Sequence, residues 1–77
     1  MKYVFVDESW EDYLYWQKID KKMLKRINTL LKDISRQPYE GFGKPGFWSR
    51  RIDGEHRLIY QVTDDEVRII KCRYHYV

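Results

Sequence analysis

The spacing of apolar residues along this chain changes several times, and each change predicts a different element. "KYVFV", residues 2–6, is β-branched and aromatic and predicts a first strand. Directly after it, Trp10, Tyr13 and Leu14 fall at the i, i+3, i+4 spacing of one helix face, with Asp7 or Ser9 placed to cap the start. Glu8, Glu11 and Asp12 stand near that start, where the helix dipole favours negative charge. A clearer helical period runs from Asp20 to about Arg36. Met23, Leu24, Ile27, Leu30, Leu31 and Ile34 form its apolar stripe, and Lys21, Lys22, Lys25, Arg26, Lys32 and Asp33 take the other face. Pro38 ends this helix. "QPYEGFGKPG" holds two prolines and three of the four glycines, so a loop belonging to neither neighbour is expected there. Beyond it, "FWSRRI", "HRLIYQV" and "VRIIKCRYHY" predict strands, joined at "DGE" and "TDDE" by short polar hairpin connections.

This order implies an α+β fold in one domain spanning residues 1–77, with two N-terminal helices packed on one face of a small, mainly antiparallel sheet. Strand alternation then assigns faces. With Leu58, Tyr60 and Val62 toward the helices, Arg57, Ile59 and Gln61 point away. On the last strand Ile70, Cys72 and Tyr74 are expected inward, leaving Ile69, Lys71, Arg73 and His75 outward. Ile52 inward leaves Ser49 and Arg51 outward. The uncovered face is thus expected to gather Arg51, Arg57, Lys71, Arg73 and His75. Cations with tyrosines nearby suit a phosphodiester backbone, with rings on which bases can stack.

Composition sharpens this picture. A chain of 77 residues has a modest core, and 17% aromatic content compensates because each ring buries a large area. Cys72 is the sole cysteine and is read as a small buried apolar residue; no disulfide, zinc motif or cofactor is expected. "MKYVFVDES" lacks the apolar run of a signal peptide and no stretch is long enough for a membrane span, so a cytoplasmic setting without membrane contact is expected. The net charge of +3 is a mild pull toward nucleic acid, and its distribution matters more. His56 is read as a structural histidine, and Trp10, Tyr13 and Trp16 as core or subunit interface. The basic face of the second helix is read as solvated, with rRNA contact as the alternative.

At "DYLYWQ", "FWSRRI", "EHRLIYQVTDD" and "CRYHY" the chain resembles the YoeB branch of the RelE-type toxins of bacterial toxin-antitoxin systems, over nearly its whole length. The resemblance implies a ribosome-dependent endoribonuclease, an mRNA interferase cutting in the ribosomal A site without a metal. It also implies a cognate antitoxin whose disordered C-terminal segment folds on the toxin, and leaves self-association into a homodimer open. Carried over by motif, Arg57 in "EHRLIY" stabilises charge on the phosphorus. His75 in "RYHY" protonates the leaving 5′ oxygen, and Tyr76 helps position the RNA. Lys44, Arg50, Arg51, Lys71 and Arg73 are the expected RNA contacts. These roles agree with the chemistry of the residues: a guanidinium forks onto two phosphate oxygens, and an imidazole titrates near neutral pH. The chain departs from the family pattern after "GKP", where a segment of the type Glu-Pro-Leu-Lys normally follows and about eight residues are missing here. The loss includes the glutamate assigned as general base. Impaired cleavage is therefore expected, the rival being an inactive variant that still binds antitoxin and ribosome.

Overall fold

The computed structural model describes residues 2–39, 42–44 and 46–74, the side chains of 42–44 excepted. The elements in chain order are β1 (Lys2–Phe5), α1 (Asp7–Ile19), α2 (Lys21–Arg36), β2 (Phe42–Lys44), β3 (Phe47–Arg51), β4 (Arg57–Val62) and β5 (Glu66–Lys71). The five strands form one sheet in the order β1-β5-β4-β3-β2. Only β1 with β5 is parallel; the three other pairings are antiparallel, as expected of a mainly antiparallel sheet.

Helix α2 follows its sequence pattern. The Asp20 carboxylate accepts the backbone N–H groups of Lys22 and Met23, which satisfies two of the orphan donors at the helix start. Ile27, Leu30 and Ile34 are buried against Leu58 and Tyr60 of β4 and Val67 and Ile69 of β5, and Trp16, Ile52 and Cys72 complete the core. The α2 and β4 positions among these were legible as apolar and periodic.

Helix α1 departs from expectation in both its cap and its phase. Val6 occupies the N-cap position without a side-chain bond, while Asp7 and Glu8 in the first turn offset the dipole. Its buried residues are Ser9, Asp12 and Trp16, and Trp10 is 46% exposed. The reason is that α1 meets the sheet through hydrogen bonds as well as apolar packing. Ser9 Oγ donates to the Ile69 carbonyl at 2.6 Å, Asp12 Oδ2 accepts the Cys72 N–H at 3.1 Å, and Trp16 Nε1 donates to the Cys72 carbonyl at 2.8 Å. Trp10 and Tyr13 instead stack on one another beside Phe5 of β1.

Two further corrections concern the sheet. The glycine- and proline-rich stretch expected to be loop contains β2, whose Lys44 pairs with Phe47 of β3 and leaves two residues between the strands. Gly46 there has φ +98°, a left-handed conformation that glycine adopts without strain. On β5, Val67 and Ile69 face the core where Ile70 was expected, because Tyr60 pairs with Ile69 while Ile59 pairs with Lys71. This bulge inserts one residue and resets the alternation, so Cys72 is still buried.

Candidate nucleic-acid interface

Register fixes which side chains share the sheet face away from the helices. Leu58 and Tyr60 are fully buried, so the alternate β4 positions Arg57, Ile59 and Gln61 lie on the opposite face. Arg51 stands directly across from Arg57, Ser49 from Ile59, Ile59 from Lys71, and Gln61 from Arg68. The Arg57 guanidinium is held in place: its Nε donates to Ser49 Oγ at 3.0 Å. Arg51 is exposed and donates to the backbone carbonyl of Asp53, and no carboxylate among the described residues lies within ion-pair distance of it. Placing Arg51 and Arg57 opposite one another costs electrostatic energy in the absence of an anion.

Three of the other expected RNA contacts lie elsewhere. Arg50 pairs with Leu58 and therefore points to the helix side, where its guanidinium donates to the Gln37 carbonyl and lies 3.8 Å from Asp33. Those acceptors belong to the negative C-terminal end of α2, which attracts a cation. Lys71 reaches Glu8 of α1 at 3.1 Å, so its ammonium turns from the outer face toward the helix. The Arg73 guanidinium lies 3.6 Å from the ring centre of Tyr15, also on α1, a cation–π contact. A cavity of about 330 Å³ opens beside it, lined by Glu11, Asp12, Leu14, Tyr15, Lys18 and Arg73. Face assignment from a strictly alternating strand failed for Lys71 and Arg73 because β5 ends at Lys71 and α1 offers both of them partners. The Lys44 side chain, His75 and Tyr76 lie outside what the structure describes.

Up to Tyr74, hydrogen bonds to α1, His56 and Arg57 hold the approach to the C-terminus. Cys72 is held on both its N–H and its carbonyl by α1, as given above. His56 Nδ1 accepts the Tyr74 N–H at 2.7 Å, and the Tyr74 carbonyl accepts the Arg57 N–H at 2.9 Å. His56 packs edge-on against Trp16, with centroids 4.8 Å apart, and beside Tyr74 at 5.2 Å. The structural reading of His56 therefore holds. Tyr74 has φ +61°, unusual for a residue with a side chain, and these two bonds stabilise it there. The tail is thus pinned as a turn, not as the continued strand the sequence suggested. Sequence reasoning missed Asp12 and Trp16 as its anchors: both fall within "DYLYWQ", but their partner is 56 or more residues away and nothing local points to it.

Burial raises the carboxyl pKa of Asp12 above its ordinary value, only partly countered by the Cys72 N–H. Asp53 is shifted the other way: the backbone N–H groups of Glu55 and His56 donate to it and hold its pKa down. Burial pushes the Cys72 thiol up to about 12, so it stays protonated and unreactive, in keeping with its reading as a small apolar residue. No cluster of metal-ligating side chains exists among the described residues. Nor is any helix among them long and apolar enough to cross a membrane.

A sequence model of the YoeB-like toxin of bacterial type II toxin-antitoxin systems matches residues 5–76. The chain belongs to this family. Toxin YoeB of Escherichia coli strain K12 is 57% identical over 84 aligned positions, covering 99% of this chain and all of the relative. A YoeB dimer from Staphylococcus aureus superposes with a TM-score of 0.88 at 47% identity, covering 99% of this chain and 98% of that one. A YoeB-YefM complex from the same organism gives 0.84 at 41%, with the same coverage. The alignment with the E. coli YoeB toxin has 84 positions against 77 residues here, so at least seven positions have no residue in this chain. That agrees with the shortening read after "GKP".

Proposed function

We propose that this YoeB-family chain is a ribosome-dependent mRNA endoribonuclease toxin whose cleavage step is attenuated by loss of its general base. The observation that carries the reading is the pairing of the Arg57 N–H with the Tyr74 carbonyl at 2.9 Å, which brings the chain that leads to His75 and Tyr76 beside Arg57. In the proposed reaction the ribose 2′-hydroxyl, lacking a protein base, gives its proton to water as its oxygen bonds to the adjacent phosphorus, and the bond to the 5′ oxygen breaks, leaving a 2′,3′-cyclic phosphate. Arg57 stabilises the charge that builds on the phosphoryl oxygens, His75 gives its proton to the departing 5′ oxygen, and Tyr76 positions the RNA. No metal enters this scheme. Arg51 and the Lys44 side chain contact flanking phosphates, whereas Arg50, Lys71 and Arg73 serve the RNA through the strands and tail they anchor. The cognate antitoxin is a YefM-like chain, a partner supported by the S. aureus complex, and self-association is supported by the S. aureus dimer. A cytoplasmic setting follows from a ribosomal target.

The two-residue link from Lys44 to Phe47 favours a second reading, a non-cleaving protein that still binds ribosome and antitoxin, because it leaves no room for the segment that would hold a glutamate. Primer extension on translating ribosomes separates the two. A Glu-containing segment inserted between Pro45 and Gly46 should raise A-site cleavage by about a hundredfold or more, the scale of a general base. In that background His75→Ala should remove most of the gain. Cleavage that stays absent after insertion favours the binder; full cleavage by the His75→Ala form removes the histidine from the mechanism.

A further inference from the structure

Residues 72–74 are held one by one from different parts of the fold. Asp12 and Trp16 bond the Cys72 backbone, Tyr15 carries Arg73, and His56 and Arg57 take the two polar groups of the Tyr74 backbone. His56 is itself tightly fixed. Its carbonyl accepts the N–H groups of Ile52 and Asp53, its N–H donates to Asp53 Oδ1 at 2.8 Å, and only 8% of the residue is exposed. The ring packs edge-on against Trp16, whose own Nε1 is tied to the Cys72 carbonyl. A histidine that merely filled this space could be a phenylalanine. Here Nδ1 accepts the Tyr74 N–H at 2.7 Å, so the ring proton sits on Nε2, which lies 3.9 Å from Glu55 Oε1. With one nitrogen accepting and the other protonated, the ring has no lone pair left to take a proton from a substrate. His56 therefore does not replace the missing glutamate.

We infer that His56 is a positioning residue for the cleavage: its Nδ1 holds Tyr74 in the left-handed turn from which the chain delivers His75 to a phosphate on Arg57. The role rests on the nuclease reading above. Tyr74 has φ +61°, a conformation that is unfavourable for a residue with a side chain and persists only where the surroundings enforce it. Without an acceptor for its N–H, Tyr74 relaxes toward the negative φ its side chain favours, and the chain after it leaves in another direction. His75 is the next residue, so that change reaches it undamped. A misplacement of about 1 Å is enough to cost about a hundredfold in rate. Arg57 shares in the arrangement, because its N–H binds the Tyr74 carbonyl while its guanidinium is braced on Ser49. One residue, Tyr74, thus couples the expected acid to the charge stabiliser, and His56 sets its geometry.

The test compares His56→Phe, which keeps a ring against Trp16 but has no acceptor, with His56→Asn, whose amide oxygen reaches about as far as Nδ1, and His56→Gln, which reaches past it. In nitrogen NMR of the isotope-labelled parent, His56 should show an unprotonated Nδ1 and a protonated Nε2. The Tyr74 amide should exchange slowly with solvent, about tenfold or more faster in His56→Phe and His56→Gln, and His56→Asn should keep most of the protection. A short RNA lacking the 2′-hydroxyl at its centre, and so uncuttable, should shift the His75 ring signals in the parent and in His56→Asn but not in the other two. In the Glu-restored protein, single-turnover primer extension on ribosomes should give a maximal rate about a hundredfold lower in His56→Phe and His56→Gln, with the half-saturating concentration within about threefold of the parent. His56→Asn should stay within about tenfold of the parent rate. Thermal denaturation checks folding, and if His56→Phe does not fold the Asn and Gln pair decides. Parent-like cleavage by both His56→Phe and His56→Gln overturns the role, as does a protonated Nδ1 or a His75 signal that ignores the uncuttable RNA in the parent. Equal loss in all three variants overturns it too, since that marks a packing residue only. If the Glu-restored protein cuts nothing while the His75 response still depends on an acceptor at position 56, the nuclease reading falls and the positioning of the tail stands.

Discussion

Asp12 shows how a single residue can serve the fold at an electrostatic cost. Its carboxylate accepts the Cys72 N–H and so helps fix the turn that leads into the tail, yet it is buried and its pKa is raised. A carboxyl whose folded pKa lies above its ordinary 3.8 binds its proton more tightly in the folded than in the unfolded state. Its contribution to stability is therefore greatest below that value and declines as pH rises through the folded pKa. Asp12→Asn keeps an oxygen to accept the Cys72 N–H without the charge. The variant should be at least as stable as the parent at neutral pH, and the stability difference between them should grow as pH rises above 3.8 and then level off. Asp53 has the opposite sign, giving stability that is lost in acid, but it is present in both proteins and cancels in the difference. A pH-independent difference in urea denaturation would show that Asp12 does not titrate in this way.

The two helices divide their work between packing and display. Along α2, Leu30 is 4% exposed within the core, whereas Lys32 lies on the outer face. Leu30→Ala should cost about 2–5 kcal/mol, the range of a buried leucine truncation, a large share of the roughly 5–15 kcal/mol that holds a small domain together. Lys32→Ala should be nearly neutral. Chemical denaturation that ranked them in reverse would mean the helix phase is wrong. Helix α1 is the less independent element. Its inner face is Ser9, Asp12 and Trp16, so its position depends on partners in β5 and the tail rather than on an apolar stripe of its own.

At the scale of the whole molecule, the shortened connection lies at the β2 end of the sheet, away from the α1 clamp on the tail. Lengthening it by about eight residues adds loop-closure entropy at about 0.6 kcal/mol per doubling, so the extended protein should lose only about 1–1.5 kcal/mol. A much larger loss in thermal denaturation would mean that β2 and its tight link support the fold more than their edge position indicates. How the molecule came to be legible follows the range of the forces involved. The α+β order, helix α2, the inward faces of α2 and β4 and the family motifs were all readable, because periodicity and local composition act between neighbours in the chain. The strand within "QPYEGFGKPG" was not, since an edge strand is held by backbone bonds that glycine-rich sequence can make as well as any other. The phase of α1, the bulge on β5 and the turning of Lys71 and Arg73 toward α1 were not legible either. The sequence by itself determined which residues could be core and which could bear charge on a surface. Tertiary structure decided where those charges point, because a hydrogen bond between Asp12 and Cys72, or a cation resting on Tyr15, joins positions that only the folded chain brings together.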